Sequence, residues 1–174
     1  MAGYLSKGNF GMNKIVTLAD AEKISQNLKQ KNKKIVIAGG CFDILHIGHI
    51  RFFEKAKQKG DYLFILLESD ENVRKLKGKN RPINPQSDRA EVLSAISFID
   101  YVVLLNEIKT NDEYDNLIYK IRPAIIATTK NDPQTKHNLR QAKKIDAKVA
   151  VVTERIKNKS TTLLAKIISE NFER

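Results

Sequence analysis

His46 and His49 stand three residues apart in the stretch GGCFDILHIGH, residues 39–49. Three residues is nearly one helical turn, so a helix through this stretch sends both imidazoles from one face toward one spot. An imidazole with an ordinary pKa of about 6.5 is open to two roles at neutral pH, as a neutral N–H donor or as a cation. Either role suits a reaction in which negative charge gathers on oxygen. Gly39 and Gly40 are read as a turn with positive φ, where the backbone meets a ligand with no Cβ between them. Gly48 leaves room beside the helix. The first helical turn adds unpaired N–H groups and the positive end of the macrodipole, so a phosphate is the expected guest. Zinc fits poorly, because His137 is the only other histidine and Cys41 the only cysteine. At a strand end Cys41 reads more simply as a small hydrophobe than as a nucleophile.

Two further stretches bring charge and hydroxyl groups. In SDENVRKLKGKNRPINPQSDR, residues 69–89, the basic segment RKLKGKNRPINP ends in prolines that exclude regular structure, and Arg89 opens the following helix. In ERIKNKSTTLLAKI, residues 154–167, Ser160, Thr161 and Thr162 precede a helical pattern. Alone, the first would be a solvated basic loop and the second an N-cap. Beside a histidine turn they make a coherent phosphate site.

Together the three stretches resemble the nucleotidyltransferase superfamily, which shares the HIGH tetrad with class I aminoacyl-tRNA synthetases. Within it they look most like cytidylyltransferase-like enzymes, above all the heptose 1-phosphate adenylyltransferase domain and next glycerol-3-phosphate cytidylyltransferase. The likeness runs from about Lys14 to Ser169. It implies attack of a substrate phosphate on the α-phosphorus of ATP or CTP, with ATP favoured by the 74–85 loop and CTP suggested by Arg155. It also implies Mg²⁺ as cofactor, with no protein ligand assigned. His46, His49, Lys77 and Arg89 would be the catalytic set, Lys77 as a point charge carried on a loop and Arg89 as a fixed fork on phosphate. Gly39, Gly40, Cys41, Phe42, Asp43, Gly48, Arg155, Ser160, Thr161 and Thr162 would line the nucleotide. Asp43 either orients the histidine helix or lies near Mg²⁺. The segment 124–138 lacks the glycines that the family places after its fourth strand, and its Asp132 either replaces the family's aspartate or does not. Archaeal-type FAD synthetases share the scaffold, so a flavin phosphate is an alternative acceptor.

The elements that must hold these residues follow from periodicity. Apolar runs at 34–38, 61–70, 101–105, 124–128 and 148–152 read as five strands, separated by helical patterns. Thr17, Ser87, Thr110 and Ser160 are expected N-caps, and Gly60 closes the histidine helix. A regular alternation of this kind predicts a Rossmann-like, doubly wound, five-stranded parallel sheet in a single domain, with ligands outside the carboxyl ends of the strands. Residues 1–13 read as a flexible leader and 14–174 as the nucleotidyltransferase domain.

Bulk composition agrees with a soluble enzyme. The chain has 174 residues, 41% hydrophobic and 29% charged, enough for one buried core, and no run approaches the ~20 apolar residues of a membrane span. A single cysteine fits a reducing cytoplasm. The net charge of +11 is scattered along the chain, and no aromatic RNA-recognition motif accompanies it, so nucleic acid is not the expected main partner. A homodimer is expected from the family likeness. The rival from another class is a non-catalytic nucleotide- or RNA-binding protein.

Overall fold

Apolar runs too short for helices become strands, and helical repeats fill the intervals between them. In chain order the elements are β1 (Ile15–Thr17), α1 (Leu18–Gln30), β2 (Ile35–Gly40), α2 (Ile47–Lys57), β3 (Tyr62–Leu67), α3 (Asp70–Lys77), α4 (Gln86–Ser94), β4 (Tyr101–Leu104), α5 (Asn111–Ile121), β5 (Ile125–Thr129), α6 (Thr135–Ile145) and β6 (Lys148–Thr153). The computed structural model describes residues 14–154. All strand pairs are parallel, in the order β1-β4-β3-β2-β5-β6.

Among the described residues the sheet has six strands, not the five expected. The additional one is β1, whose three residues pair with β4 in the register Ile15↔Val102 to Thr17↔Leu104. A strand this short shows no alternation to read, and it runs straight into α1 at Thr17, which accepts from the Asp20 N–H at 3.2 Å as the expected cap.

Successive residues of β2 and β3 feed opposite faces. Val36, Ala38, Leu63, Ile65 and Leu67 pack with Phe52 and Phe53 of α2 and with Ala90 and Leu93 of α4. Ile35, Ile37, Phe64 and Leu66 pack with α1, α5 and α6 through Ala21, Leu117, Ile121 and Ile145. Both faces are therefore covered, which is why β3 reads as an uninterrupted apolar run. The chain leaves β2 in one direction for β3 and returns on its other side as β5, so the carboxyl ends of β2 and β5 flank the point where the order reverses.

Several boundaries differ from expectation. Helix α4 starts at Gln86 behind Pro85, with Ser87 inside its first turn and not at the cap, since proline pre-sets the extended entry to a helix. Helix α2 ends at Lys57 with Gln58 as C-cap, two residues before Gly60. Helix α6 begins at Thr135, earlier than the apolar repeat indicates. Thr110 caps α5, accepting from the Glu113 N–H at 3.2 Å. The leader 1–13 and the Ser160 cap lie outside the described residues.

Candidate active site

The turn that leaves β2 is built by the last two residues of the strand and by Phe42. Gly39 and Gly40 remain in β2, and it is Phe42 that takes the positive φ, at 45°. The glycines are needed for close approach by the protein itself: a Cβ on Gly39 would lie 2.8 Å from the Tyr114 hydroxyl, and one on Gly40 would lie 2.8 Å from the Phe42 ring. The expected positive φ at the glycines is thus corrected. The space beside them is filled by Tyr114 and Phe42.

His46 and His49 sit where the spacing predicts, as N-cap and third residue of α2. Their roles in the helix are reciprocal. His46 Nδ1 accepts from the Gly48 N–H at 3.1 Å, and His49 Nδ1 accepts from the His46 N–H at 3.2 Å. Of the donors in the first turn, the Gly48 N–H is thus taken by the His46 ring and the His49 N–H by the His46 carbonyl at 2.9 Å, which leaves fewer of them for an anion than a bare helix start would offer. Each ring, with Nδ1 accepting, carries its proton on Nε2 and presents a neutral N–H donor. The rings stack, centroids 4.0 Å apart, with Phe42 edge-on to His49 at 5.6 Å and Phe53 beyond it at 6.4 Å. Burial in this apolar setting, then the neighbouring His46, pushes the His49 pKa down to about 4. Of the two protonation roles left open by the sequence, His49 takes the neutral one.

The basic segment is tied to the turn by two buried arginines. The Asp43 side chain is buried and accepts from Arg81 Nε and from the Ile83 and Asn84 N–H groups, each 2.9 Å away, while Asn84 Nδ2 donates back to the Asp43 carbonyl at 2.8 Å. Burial works to raise the Asp43 pKa, but the N–H groups of Asn84 and Ile83 and the Arg81 guanidinium outweigh it and hold the carboxyl below its ordinary value. Asp43 thus moors the loop, a role the sequence did not reveal. The mooring Arg81 retains one terminal nitrogen that is buried without a partner.

Arg89 is 2% exposed. Its guanidinium donates to the carbonyls of Cys41, Asn84 and Glu68, the latter two at 3.0 and 2.9 Å, and to Asp70 Oδ1 at 2.7 Å. The expected phosphate fork is instead a clip that binds the turn, the end of β3 and the basic loop together from below. Lys77 is the last residue of α3, not a loop residue. It is exposed and enters no ion pair among the described residues. Its charge still reaches the turn: burial raises the Cys41 thiol pKa, and Lys77 is the foremost charge opposing that rise.

The structure therefore gathers the turn, His46, His49, Lys77 and Arg89, with Arg89 underneath. Arg155, Ser160, Thr161 and Thr162 lie outside the described residues. A further acid, Glu68, closes β3 beside the turn; an acid ending an otherwise unbroken apolar run was the signal for it. Asp43 has both oxygens engaged, and no three His, Cys, Asp or Glu side chains among the described residues gather as a metal site.

A neutral donor pair, a cation outside the ion pairs of the described residues and a clipped turn at the carboxyl edge of a parallel sheet are groups able to align an anion such as a phosphoryl group and to stabilise charge on it. The chain is similar to several known proteins. The bifunctional protein HldE of Campylobacter concisus is 46% identical over 123 residues, covering 70% of this chain and 25% of that protein. HldE of Campylobacter curvus is 49% identical over 110 residues, covering 63% and 23%. The chain thus spans about a quarter of the length of these curated relatives. Among solved structures, the lipopolysaccharide core biosynthesis protein of Thermoplasma volcanium GSS1 superposes with a TM-score of 0.58 at 25% identity, over 71% of this chain and 97% of that one. Pantoate-beta-alanine ligase of Francisella tularensis shares the fold, with a TM-score of 0.58 at 18% identity over 92% and 78%. The cytidylyltransferase-like sequence profile matches residues 37–167, from within β2 through the histidine turn and everything clipped to it, and on that match the chain belongs to the cytidylyltransferase-like family.

Proposed function

We propose that this chain transfers a nucleoside monophosphate, AMP in preference to CMP, from a nucleoside triphosphate to a sugar or polyol phosphate, in the manner of heptose 1-phosphate adenylyltransferase. The observation that carries the reading is the pair of imidazoles whose Nδ1 atoms are fixed by backbone N–H groups, which makes both rings N–H donors at neutral pH. An ionised acceptor phosphate needs no general base. One of its oxygens bonds to the α-phosphorus, the bond from that phosphorus to the β-phosphate bridging oxygen breaks, and pyrophosphate leaves with the electron pair. Charge grows on the bridging and α-phosphate oxygens, where His46 and His49 donate and Lys77 adds a positive potential. Arg89 keeps the turn in shape. Relatives named HldE and a solved lipopolysaccharide core biosynthesis protein support a sugar phosphate as acceptor. Mg²⁺ as cofactor would travel on the triphosphate's own oxygens. A cytoplasmic homodimer belongs to the same proposal; the described residues contain no helix long and apolar enough to cross a membrane.

The test is pyrophosphate release from ATP or CTP with heptose 1-phosphate, glycerol 3-phosphate or FMN as acceptor. The expected result is release only with a triphosphate and a phosphorylated acceptor together, fastest with ATP and heptose 1-phosphate. His49→Ala should lower kcat by roughly 100-fold or more, the scale of removing one transition-state donor, while ATP still raises the melting temperature. If CTP with glycerol 3-phosphate turned over fastest, the acceptor and base would be reassigned. Nucleotide binding without turnover on any acceptor would favour a non-catalytic binding protein.

A further inference from the structure

Glu68 is the first residue beyond β3. Its N–H donates to the Gly40 carbonyl at 3.2 Å, so it lies directly beside the turn, one strand over from the histidines. Along β3 its side chain follows Phe64 and Leu66 onto the α5 face, whereas α2 and its histidines cover the other face. There Glu68 Oε2 accepts from Asn72 Nδ2 at 2.9 Å and Oε1 from the Tyr114 hydroxyl at 3.3 Å. Nothing else donates to the carboxylate among the described residues. Arg89 reaches the Glu68 carbonyl and not its side chain, and no ion pair includes Glu68.

A carboxylate offers about four lone-pair sites, and here two are filled, one at a long distance. Taking a charge from water without a partner is unfavourable. Burial accordingly lifts the Glu68 pKa, against the pull of Asn72, Tyr114 and Arg89. The group is enclosed without being sealed, 7% of the residue remaining exposed, and it stands at the carboxyl edge of the sheet, where ligands of such folds bind. What it lacks is hydrogen-bond donors. A phosphate supplies none at neutral pH and is repelled; the hydroxyl groups of a polyol supply several. Neighbouring strands are about 4.8 Å apart, so an acceptor whose phosphate rests at the β2 turn carries its nearest hydroxyls to the end of β3.

We infer that Glu68 is a specificity-determining residue that accepts hydrogen bonds from the hydroxyl groups of the acceptor, so that a polyhydroxylated phosphate is held with its phosphate toward the histidines and its hydroxyls toward β3. The inference deepens the proposed transfer reaction and rests on it for the acceptor's phosphate. E68Q is the informative variant, because a glutamine still accepts from Asn72 and donates to the Tyr114 oxygen, which preserves the local packing while replacing one acceptor by a donor. In the full chain, binding of heptose 1-phosphate and of ethyl phosphate, which has no hydroxyl, is followed by calorimetry without nucleotide, alongside the melting temperature and the shift produced by ATP.

Wild-type protein should prefer heptose 1-phosphate. E68Q should weaken that ligand by about 10- to 100-fold, the scale of a hydrogen bond to a charged group, with ethyl phosphate, the ATP shift and the melting temperature unchanged. Y114F removes a partner but keeps the carboxylate, so it should lower the melting temperature and leave the preference intact. Equal loss of both phosphates in E68Q, the same loss of preference in Y114F, or no preference in the wild type would overturn the inference. These are binding measurements, so absence of pyrophosphate release in the wild type would count against the transfer reaction separately.

Discussion

At His49 a hydrogen bond that starts the helix also selects the charge of the residue. Protonation of Nδ1 would set two donors against each other at the His46 N–H, and the ring lies among Phe42, Phe53 and His46. Its pKa falls from 6.5 to about 4, so between those values the unfolded chain binds a proton that the folded chain refuses. Stability contributed by the neutral ring is thus complete above about pH 6.5 and is lost as the pH falls toward 4, by roughly 3 kcal/mol. Urea unfolding at pH 7, 5.5 and 4.5 should show that decline in the wild type and a shallower one in His49→Gln. Equal slopes would mean that His49 titrates normally. The sequence reveals this pair because both members lie within one turn. It leaves their protonation open, since spacing does not tell which nitrogen turns toward the backbone.

Among the elements, two cations near one turn divide the work in a way composition conceals. Arg89 of α4 holds three carbonyls and Asp70, so Arg89→Ala should cost about 3–5 kcal/mol, the scale of breaking a buried charge network, seen as a lower urea midpoint. Lys77 at the end of α3 holds nothing that stability depends on. Lys77→Ala should leave the midpoint within about 0.5 kcal/mol, slow turnover, and flatten the salt dependence of ATP binding. An Arg89→Ala protein as stable as wild type but weak for ATP would restore Arg89 as a phosphate ligand. A sequence shows that an arginine opens a helix; it does not show that its guanidinium ends beneath residues 41, 68 and 84. The same holds for Asp43, whose partners come from the loop at 81–84. Where a contact is local, as at Thr17 and Thr110, residue type and spacing were enough to place the cap.

Across the described residues, both faces of the sheet are covered, and five of its strands were legible as apolar runs, while β1 and the order of the strands in the sheet were not. Three residues carry no period, and what makes them a strand is the exposed edge of β4. Val16→Pro should remove the pairing of β1 with Val103, lower the melting temperature and leave β4 as an open edge prone to self-association, detectable by light scattering. A variant as stable and as monodisperse as wild type would make β1 dispensable. The pairing also orders events in time. Ile15 leaves the ribosome well before Val102, its partner, and at about 5–20 residues per second the interval lasts seconds. During it β2 and β3 are already able to meet through Ile35 and Tyr62, whereas the strand made first has nothing to join. The β4 side of the described sheet is therefore closed by the earliest made of the described strands, and a quickly folding segment placed ahead of it would hold β1 away during the seconds in which β4 awaits it.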